Sequence, residues 1–542
     1  MAKNISGNIV DVLNKRIFPG KIYIKDSKIN KIEEIKNNVP NQFILPGLID
    51  AHVHIESSML SPGGFASLAV QHGTIGSVSD PHEIANVMGM EGVEYMIRDG
   101  KKVPFKFYFG APSCVPATQY ETSGAVLGAN EIKDLLNRDE VKYLSEMMNF
   151  PGVIGEDKEV MQKIDSAKKL NKPIDGHAPG LRGEALEKYI HAGITTDHEC
   201  FTIEEAREKI EHGMMVQIRE GSAARNFKAL YPLISEYPGK VMLCSDDLHP
   251  DDLLKGHINR LIVEGLNEGL DLFDILTAAI ITPKNHYNLD IGLLQENDPA
   301  DLIVIDNLKD FRIKQVYING ELVVDNAKVL FDYVNTETIN KFVAQPVKKN
   351  ELKVSAKGDK IRVIKAFDGE LITGQEIVEA NIHNDEVFPD PAYDIQKVVV
   401  LNRYQKSNPV VGFITGFGLE KGALASSIAH DSHNIIAMGT NDTDITKVLN
   451  KVIECRGGIA VYDGVNLDTI QLKIAGLMSD EDPQKVAKDY ERINSKAAKL
   501  CSKIKSPFMT LAFMSLLVIP ELKIGDKGLF NVVDFKETSL FL

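Results

Sequence analysis

Histidine and acidic residues stand at the ends of short apolar runs in this chain, in a mixture that suits a divalent metal. The runs GLIDAHVH, GVIGE, KPIDGH and VMLCSD each end in such a residue, and GITTDH fits the pattern less cleanly. Imidazole nitrogens and carboxylate oxygens together are ligands that first-row divalent metals take in proteins. The candidate metal ligands are His52, His54, Glu156, His177, His198 and Asp246.

The first two candidates form a His-x-His motif. His52 and His54 are two residues apart, so on a β-strand both side chains point to the same face and can share one metal ion. On its own, the motif is equally compatible with an ordinary polar strand end. The apolar stretch FILPGLIDA before it favours a buried strand that emerges at a polar rim.

The spacing of the other candidates predicts the elements that carry them. Glu156, His177 and His198 follow one another at intervals of 21 residues, which is about the length of one βα unit. Strand-like and helix-like segments alternate over residues 47–282, as in a single (β/α)8 barrel. Because the active sites of such barrels lie where the strands end, we expect the ligands at the ends of strands one, four, five, six and eight.

This set of ligands is large enough for two metal ions. Two metals that share a water molecule lower its pKa toward neutrality and make hydroxide available. We expect one metal on His52, His54 and Asp246, the other on His177 and His198, and Glu156 as the bridge between them.

Two β-rich stretches flank the barrel region. Residues 1–46 and 283–345 carry short runs rich in Ile and Val, and we expect them to pair as one discontinuous β-sandwich domain. Residues 346–542 mix strand-like runs such as KVVVLNR and NIIAMGT with helices, the clearest of which follows the N-cap candidate Asp482. The predicted fold is α/β: a TIM-like (β/α)8 barrel over 47–282, a small β-sandwich domain and an α+β C-terminal domain.

The composition is that of an ordinary globular protein, with 44% hydrophobic and 25% charged residues among 542. A net charge of −15 argues against general binding to nucleic acid or anionic membrane, because both need a basic surface. Five scattered cysteines suggest reduced thiols in the cytosol. The N-terminal MAKNISGNIVDVLNKR lacks the apolar core of a signal peptide, and the longest apolar run, 508–519, is too short for a membrane span. We therefore expect a cytoplasmic protein without nucleic-acid or membrane partners.

The motifs around these residues resemble the adenine deaminases of bacteria and archaea, a family within the amidohydrolase superfamily. The resemblance covers nearly the whole chain. Its motifs in the barrel are LPGLIDAHVHIESSML, SDPHEIANVMG, GAPSCVPAT, FPGVIGE, DGHAPGL, AGITTDHEC, IREGSAARN and SDDLHPDDL. Those of the C-terminal third are GFGLEKGALASSIAHDSHNIIAMGTND and IAGLMSD.

The resemblance implies hydrolytic deamination of adenine to hypoxanthine and ammonia by a metal-bridging hydroxide, as part of purine salvage. It implies two divalent metals per chain, manganese or iron, and a purine base as the small-molecule partner. Asp246 would take the proton of the attacking water and pass it to the departing amino group. Glu156 would exchange a proton with the ring nitrogen next to C6. A homodimer is expected from the general frequency of two-fold oligomers alone.

Other residues near the expected site are candidates for binding the substrate. Asp80, His82 and Glu83 in SDPHE would face the pocket from the end of strand two, or would form a capping cluster at a helix N-terminus. Arg219, at the expected end of strand seven, would orient the substrate or pair with Glu199. Ser113 and Cys114 in GAPSC would line the base pocket. The substrate-binding candidates are His82, Glu83, Ser113, Glu199, Arg219 and Asp247.

The HDSHN segment, residues 430–434, is the densest polar cluster of the C-terminal third. It would be a polar turn between two apolar runs, a loop close to the active site, or an additional metal site through His430 and His433. We favour the loop close to the active site.

Two different interpretations of the chain stay open at this point. Another dinuclear amidohydrolase would cleave a cyclic amide or an N-acetyl substrate, and a carboxylated lysine such as Lys158 would then bridge the metals. A barrel that has lost its metals would serve as a scaffold, although every ligand position is filled here. Adenine and adenosine cannot be separated, because the sequence identifies no pocket for a ribose.

Overall fold

The computed structural model describes residues 3–36, 39–334 and 337–542. The chain divides into two compact units. The barrel unit comprises Met1–Pro81, Glu94–Ser113 and Gly128–Asn335. The C-terminal unit comprises Thr336–Leu542 together with two earlier segments, His82–Val93 and Cys114–Leu127.

The barrel unit begins with strands that alternate buried Ile or Phe with more exposed residues, as in a sheet with one covered face. Strands β1 and β2 pair antiparallel along their whole length, and β4 pairs parallel to β1. These strands are β1 (Lys3–Asp11), β2 (Arg16–Lys25), β3 (Lys28–Glu34) and β4 (Phe43–Pro46).

The next strands form the barrel, and most of their residues are buried on both faces, as in parallel sheets covered by helices. Eight such strands lie within the described ranges, and neighbours are paired parallel from β5 to β9 and from β10 to β12. They are β5 (Leu48–Val53), β6 (Thr74–Ser79), β7 (Lys106–Ala111), β8 (Val141–Met147), β9 (Ile174–Gly176), β10 (Thr196–Asp197), β11 (Met215–Arg219) and β12 (Val241–Cys244).

Backbone hydrogen bonds join these two groups of strands into a closed ring. Between β9 and β10, the Thr195 amide donates to the Ile174 carbonyl at 2.9 Å. Between β5 and the end of β12, the Asp246 amide donates to the His52 carbonyl at 2.9 Å. The predicted TIM-like barrel is therefore confirmed.

Helices connect the barrel strands and bury one apolar face each. Helix α6 is typical: the Asp157 carboxylate caps its first amides, and Val160, Ile164 and Ala167 form its buried stripe. The helices of this part of the chain are α1 (Pro62–Ala69), α2 (His82–Met88), α3 (Met90–Gly100), α4 (Ala129–Leu136), α5 (Phe150–Ile154), α6 (Lys158–Lys169), α7 (Gly183–His191), α8 (Ile203–Glu211), α9 (Phe227–Leu230), α10 (Pro232–Glu236), α11 (Pro250–Lys255), α12 (Ile258–Asn267), α13 (Leu272–Leu276) and α14 (Thr282–His286).

The chain then returns to the first sheet. Strand β13 pairs antiparallel with β4, with Leu302 opposite Pro46, and the hydrogen-bonded order is β16-β15-β14-β13-β4-β1-β2-β3. The two β-rich stretches therefore pair with each other as one continuous sheet, while the exact domain boundaries stay predictions. The returning strands are β13 (Leu302–Ile305), β14 (Ile313–Ile318), β15 (Glu321–Asp325) and β16 (Lys328–Val329).

The C-terminal unit is α+β and is built on a sheet of order β18-β17-β22-β21-β24-β23-β25-β26. Helix α15 covers this sheet with Ile445, Val448 and Val452. The predicted helix after Asp482 is α16, whose first turn the Asp482 carboxylate caps. The elements are β17 (Lys360–Lys365), β18 (Gly374–Glu379), β19 (Asn381–His383), β20 (Glu386–Phe388), β21 (Gln396–Leu401), β22 (Val410–Thr415), β23 (Ala423–Ser426), β24 (Ile435–Gly439), α15 (Asp442–Glu454), β25 (Gly458–Tyr462), β26 (Leu467–Gln471), α16 (Pro483–Leu500), α17 (Pro507–Phe513), β27 (Leu522–Gly525), β28 (Gly528–Asn531) and β29 (Lys536–Thr538).

Two expectations from composition can be compared with this structure. No helix in the described part of the chain is both long and apolar enough to cross a membrane. All five cysteines have free thiols and are buried.

Candidate metal centre

The barrel strands bring five of the six predicted ligands to one end of the ring. His52 lies in β5 and His54 directly follows it, while His177 follows β9 and His198 follows β10. Asp246 lies two residues beyond β12, with a φ of 54° in the left-handed region. All five side chains are buried. Strained backbone of this kind is common at functional sites, because the surrounding structure must hold it in place.

The first group of donor atoms comes from β5 and β12. The Nε2 atoms of His52 and His54 are 3.2 Å apart, and Asp246 Oδ1 lies 3.2 Å from His54 Nε2 and 3.6 Å from His52 Nε2. Two imidazole nitrogens and a carboxylate oxygen therefore converge on one small volume.

The second group comes from β9 and β10 and is joined to the first by Glu146. The Glu146 Oε2 atom lies 2.7 Å from His177 Nδ1 and 3.2 Å from His198 Nε2, while Oε1 lies 3.3 Å from His54 Nε2. Glu146 is on β8, the fourth barrel strand, and is 3% exposed. One carboxylate thus contacts both groups of imidazoles, as a bridging ligand would.

The expectation that Glu156 bridges the two metals is wrong on this geometry. It is exposed, and it lies in the turn after helix α5 rather than at the end of a strand. The reason is local: the Asn149 side chain accepts a hydrogen bond from the Gly152 amide and caps helix α5, which has Pro151 in its first turn. The run GVIGE therefore contains the end of a helix and the turn after it, and no strand. On the fourth strand, the carboxylate that contacts both groups of imidazoles is Glu146.

The sequence around Glu146 also carries a strand signal. The stretch VKYLSEM has the β-branched and aromatic content of a strand, and Glu146 is its lone acid. However, Glu146 precedes His177 by 31 residues. The regular spacing of 21 residues therefore favoured the later glutamate.

The donor set fits divalent metal ions. The His54 Nδ1 atom lies 3.2 Å from the carbonyl oxygen of Asp80, so Nδ1 carries a hydrogen and Nε2 is the nitrogen that would face a metal. Four imidazoles and two carboxylates, all buried, form a donor set typical of first-row metals.

The charges of the cluster agree with that fit. Burial lowers the pKa of His198, but hydrogen bonding to Glu146 outweighs it and raises the pKa to about 9. Burial also opposes ionisation of Glu146, yet His177 and His198 hold its pKa well below the ordinary value. The carboxylates therefore stay ionised and attract positive charge, whether protons or metal ions, to this position.

Arg219, at the end of β11, holds the acids on the far side of the cluster. Its Nη1 atom donates to Glu199 Oε1 and to Asp246 Oδ2, each at 2.5 Å, and Nη2 donates to Glu199 Oε2 at 2.8 Å. Burial opposes ionisation of Asp246, but the guanidinium and His54 hold its pKa well below the usual range. Of the two roles predicted for Arg219, the geometry supports pairing with Glu199.

Ser113 and Asp247 also lie beside ligand-bearing segments. The Ser113 hydroxyl donates to the carbonyl oxygen of Glu146 at 2.5 Å, and the Ser57 hydroxyl donates to Asp247 Oδ1 at 2.5 Å. These contacts hold the backbone of β8 and the chain after β12. A role of either side chain in binding substrate stays a prediction.

Within the C-terminal unit, the HDSHN segment contacts Glu83. His430 Nδ1 lies 2.8 Å from Glu83 Oε1, and His433 Nε2 contacts Glu83 Oε2. The Ala429 amide donates to His433 Nδ1 at 3.4 Å, so the hydrogen of this imidazole is on Nε2 and points to Glu83. Glu83 is thus an anion held by imidazole donors, an arrangement that favours a positioned carboxylate over an additional metal site.

The pKa values of this second cluster also indicate that Glu83 is an ionised carboxylate held by imidazoles. Burial opposes ionisation of Glu83, but His430 and His433 hold its pKa well below the ordinary value. Burial lowers the pKa of His433 to about 4, so this imidazole is neutral at physiological pH. His82 begins helix α2, and its Nε2 lies 3.5 Å from Glu83 Oε1. Substrate binding by His82 and Glu83 stays a prediction.

Comparisons with known proteins agree with the resemblance noted in the sequence. The sequence model of the amidohydrolase family matches residues 43–323, and that of the adenine deaminase C-terminal domain matches residues 370–536. The adenine deaminase of Methanosarcina mazei is 55% identical over 552 residues, covering 99% of each chain. Those of Salinibacter ruber and Borreliella burgdorferi are 51% and 46% identical, with 99% and 98% of this chain and of those proteins covered.

Among solved structures, a beta-aspartyl dipeptidase from Fervidobacterium islandicum AW-1 matches 62% of this chain and 100% of its own, with 17% identity and a TM-score of 0.48. The fold assignment rests on the strand pairing described above and on the family match. A family model that covers more than half of the chain, and relatives of this identity over nearly full length, show that the chain belongs to the amidohydrolase family and, within it, to the adenine deaminases.

Proposed function

We propose that this protein catalyses the hydrolytic deamination of adenine to hypoxanthine and ammonia. Membership of the family supports the reaction, and the match of the C-terminal domain weighs against an amidohydrolase of cyclic amides or N-acetyl groups. The observation that carries the proposal is the position of Glu146, whose two carboxylate oxygens lie 3.3 Å from His54 Nε2 and 3.2 Å from His198 Nε2.

Two divalent metal ions, manganese or iron, are part of the proposal. Ions bound here would lower the pKa of a water molecule and supply a nucleophile at neutral pH. Glu146 takes the bridging place that was expected of Glu156. The proposed ligands are His52, His54 and Asp246 for one ion, His177 and His198 for the other, and Glu146 for both.

Asp246 is the proposed proton carrier. Arg219 engages its Oδ2 at 2.5 Å, whereas Oδ1 faces His54 Nε2 at 3.2 Å. On the imidazole side, Asp246 would accept a proton from the attacking water and donate it to the amino group at C6. The C6–O bond would form as the water loses that proton, and the C6–N bond would break as the amino group receives it, so that ammonia leaves. The other hydrogen of the water would stay on the new oxygen, and the resulting 6-hydroxypurine would tautomerise to hypoxanthine. The second proton role expected of Glu156 is not retained, because that side chain is exposed.

The proposal also keeps the expectations about substrate binding, location and partners that come from the sequence. His82, Glu83 and Asp247 stay candidates for binding the purine, on the motifs in which they stand. We propose a cytoplasmic enzyme of purine salvage that works as a homodimer, without nucleic-acid or membrane partners. The scattered cysteines and the net charge of −15 support the location and the absence of those partners.

One assay tests the proposal. The protein, loaded with manganese or with iron under anaerobic conditions, is incubated with adenine, adenosine and N-acetylglucosamine 6-phosphate, and release of ammonia or acetate is followed. We expect ammonia from adenine and much slower release from adenosine. Turnover of the nucleoside or the sugar without turnover of adenine would contradict the proposal.

A further inference from the structure

Two buried polar networks lie directly beneath the candidate metal ligands, on different sides of the barrel. The Asp50 network consists of Asp50, Thr74, Ser245 and His257. The Lys209 network consists of Asp197, Cys200, Glu205 and Lys209. All eight residues are buried. Buried polar groups are costly unless they are hydrogen-bonded, so each network has to stay intact.

The Asp50 network connects the two strands that carry the first group of ligands. Asp50 stands two residues before His52 on β5, and its Oδ1 accepts the backbone amides of His52 at 3.3 Å and Ser245 at 3.0 Å. Ser245 immediately precedes Asp246, and its hydroxyl also donates to Asp50 Oδ2. One carboxylate therefore fixes the backbone next to His52 and next to Asp246 at the same time.

His257 completes this network from the start of helix α12. Its Nε2 lies 2.8 Å from Asp50 Oδ2, and its Nδ1 lies 2.8 Å from the Thr74 hydroxyl at the start of β6. The ring also packs edge-on against Phe65, with centroids 5.6 Å apart. The imidazole thus locks the orientation of the Asp50 carboxylate.

The Lys209 network holds the segments that carry the second group. The Lys209 ammonium, on helix α8, donates to Asp197 Oδ2 at 2.5 Å, to Glu205 Oε1 at 2.7 Å and to the Ala178 carbonyl at 2.8 Å. All three of its hydrogens are therefore used. Ala178 directly follows His177, and Asp197 directly precedes His198.

The two carboxylates of this network extend its hold on the same segments. Asp197 Oδ1 accepts the Ala178 amide at 2.9 Å, and Glu205 Oε1 accepts the Gly180 amide at 2.9 Å. The Cys200 thiol donates to Asp197 Oδ2 at 3.3 Å. The backbone after His177 and around His198 is thus fastened to a single buried cation.

We propose that the two networks position the two halves of the metal centre independently: Asp50 and His257 act as positioning residues for the site of His52, His54 and Asp246, and Lys209 acts as the positioning residue for the site of His177 and His198. The inference rests on the proposed two-metal centre. In the ring of strands, β5, β6 and β12 are neighbours, whereas β9 and β10 lie on the other side. Disturbing one network therefore leaves the backbone of the other site in place.

The test measures each metal site separately in the full-length chain. Asp50→Asn and Lys209→Met remove the charge at the centre of one network while keeping similar volume. Outer partners of metal ligands typically change metal affinity by about 10–100-fold when they are mutated. We expect each variant to weaken one of two Mn²⁺ sites by about that factor in chelator competition and to leave the other unchanged. Co²⁺ difference spectra of the two single-site proteins should differ from each other and add up to the wild-type spectrum.

Controls separate this result from a general loss of structure. Asp301→Asn and Lys523→Met change equally buried groups away from the ligands, and both are expected to keep wild-type affinities. Lys209→Arg, which keeps the cation, should recover part of the lost affinity. If Asp50→Asn fails to fold, His257→Gln tests the same network more gently.

The outcomes have distinct meanings. Parallel loss of both sites in either variant, or unchanged affinity at both sites in a folded variant, would overturn independent positioning. A wild-type chain that binds two metals but does not deaminate adenine refutes the proposed reaction and leaves the positioning result to stand on its own. A wild-type chain that binds fewer than two metals refutes the two-metal centre and this inference with it.

Discussion

Replacing Glu146 by Gln should abolish the metal centre, whereas the same change at Glu156 should have little effect. Glu146 is 3% exposed, and its carboxylate oxygens lie within 3.3 Å of three imidazole nitrogens. Glu156 is exposed on the turn after α5. The two variants remove the same charge from the same residue type, so each is the control for the other.

The expected size of the effect follows from the contacts. Hydrogen bonds to charged groups contribute about 1.5–3 kcal/mol each. Loss of two such contacts, one to each imidazole group, amounts to about 3–6 kcal/mol, or roughly 10²–10⁴-fold in metal affinity. We expect Glu146→Gln to lose at least one metal equivalent and to lower kcat/KM for adenine by a similar factor. Glu156→Gln should change both quantities less than about twofold, as is usual for surface substitutions.

The assay combines metal analysis after dialysis with steady-state ammonia release at a fixed manganese concentration. Circular dichroism and thermal melts show whether each variant is folded. The reasoning fails if Glu156→Gln loses metal while a folded Glu146→Gln keeps two equivalents.

Three further predictions concern other parts of the molecule. Arg219→Met leaves the carboxylates of Glu199 and Asp246 buried without their cation, so kcat/KM should fall by about 10–100-fold. Arg219→Lys should recover only part of this activity, because an ammonium cannot bind both carboxylates with the paired N–H groups of a guanidinium. An unchanged rate at saturating metal would contradict the role of the guanidinium. His433→Asn removes a hydrogen-bond donor to Glu83, so the KM for adenine should rise while the metal content of the protein stays close to that of the wild type. A lower metal content with an unchanged KM would speak against a substrate contact of Glu83. Burial lowers the pKa of His286 from 6.5 to about 4 in the folded protein. Between these two pH values the unfolded chain binds a proton on this imidazole and the folded chain does not. The contribution of His286 to the free energy of unfolding is therefore complete above pH 6.5 and is lost as the pH falls toward 4. His286→Gln should therefore flatten the stability profile between pH 6.5 and 4 by up to about 3 kcal/mol in denaturant titrations, and a profile as steep as that of the wild type would refute this.

The barrel and the positions of most candidate ligands could be predicted because their signals are local. His52 and His54 stand two residues apart at the end of one strand, after an apolar run, and Asp246 closely follows another such run. The helix after Asp482 likewise follows from its cap and from the spacing of its apolar residues. In each case, the residues that decide the structure are neighbours in the sequence.

The bridge and the second cluster could not be predicted in the same way. The runs ending in Glu146 and Glu156 are both short and contain one acid. The choice between strand and helix depends on an N-cap at Asn149 and on pairing of β8 with its neighbours. The contact between Glu83 and His430 joins residues 347 positions apart. No local pattern in the sequence specifies which distant imidazole will meet a given carboxylate.

The pairing of β4 with β13 implies a long delay between the synthesis of the two strands on the ribosome. Strand β4 is complete at Pro46, but its partner begins only at Leu302, with the whole barrel between them. At ribosomal rates of about 5–20 residues per second, the open edge of β4 waits about 10–50 s for its partner. During that time, the buried Ile44 and Leu45 lie at an unpaired edge, which invites association with other chains. The nascent chain should therefore depend on chaperones between the synthesis of β4 and that of β13.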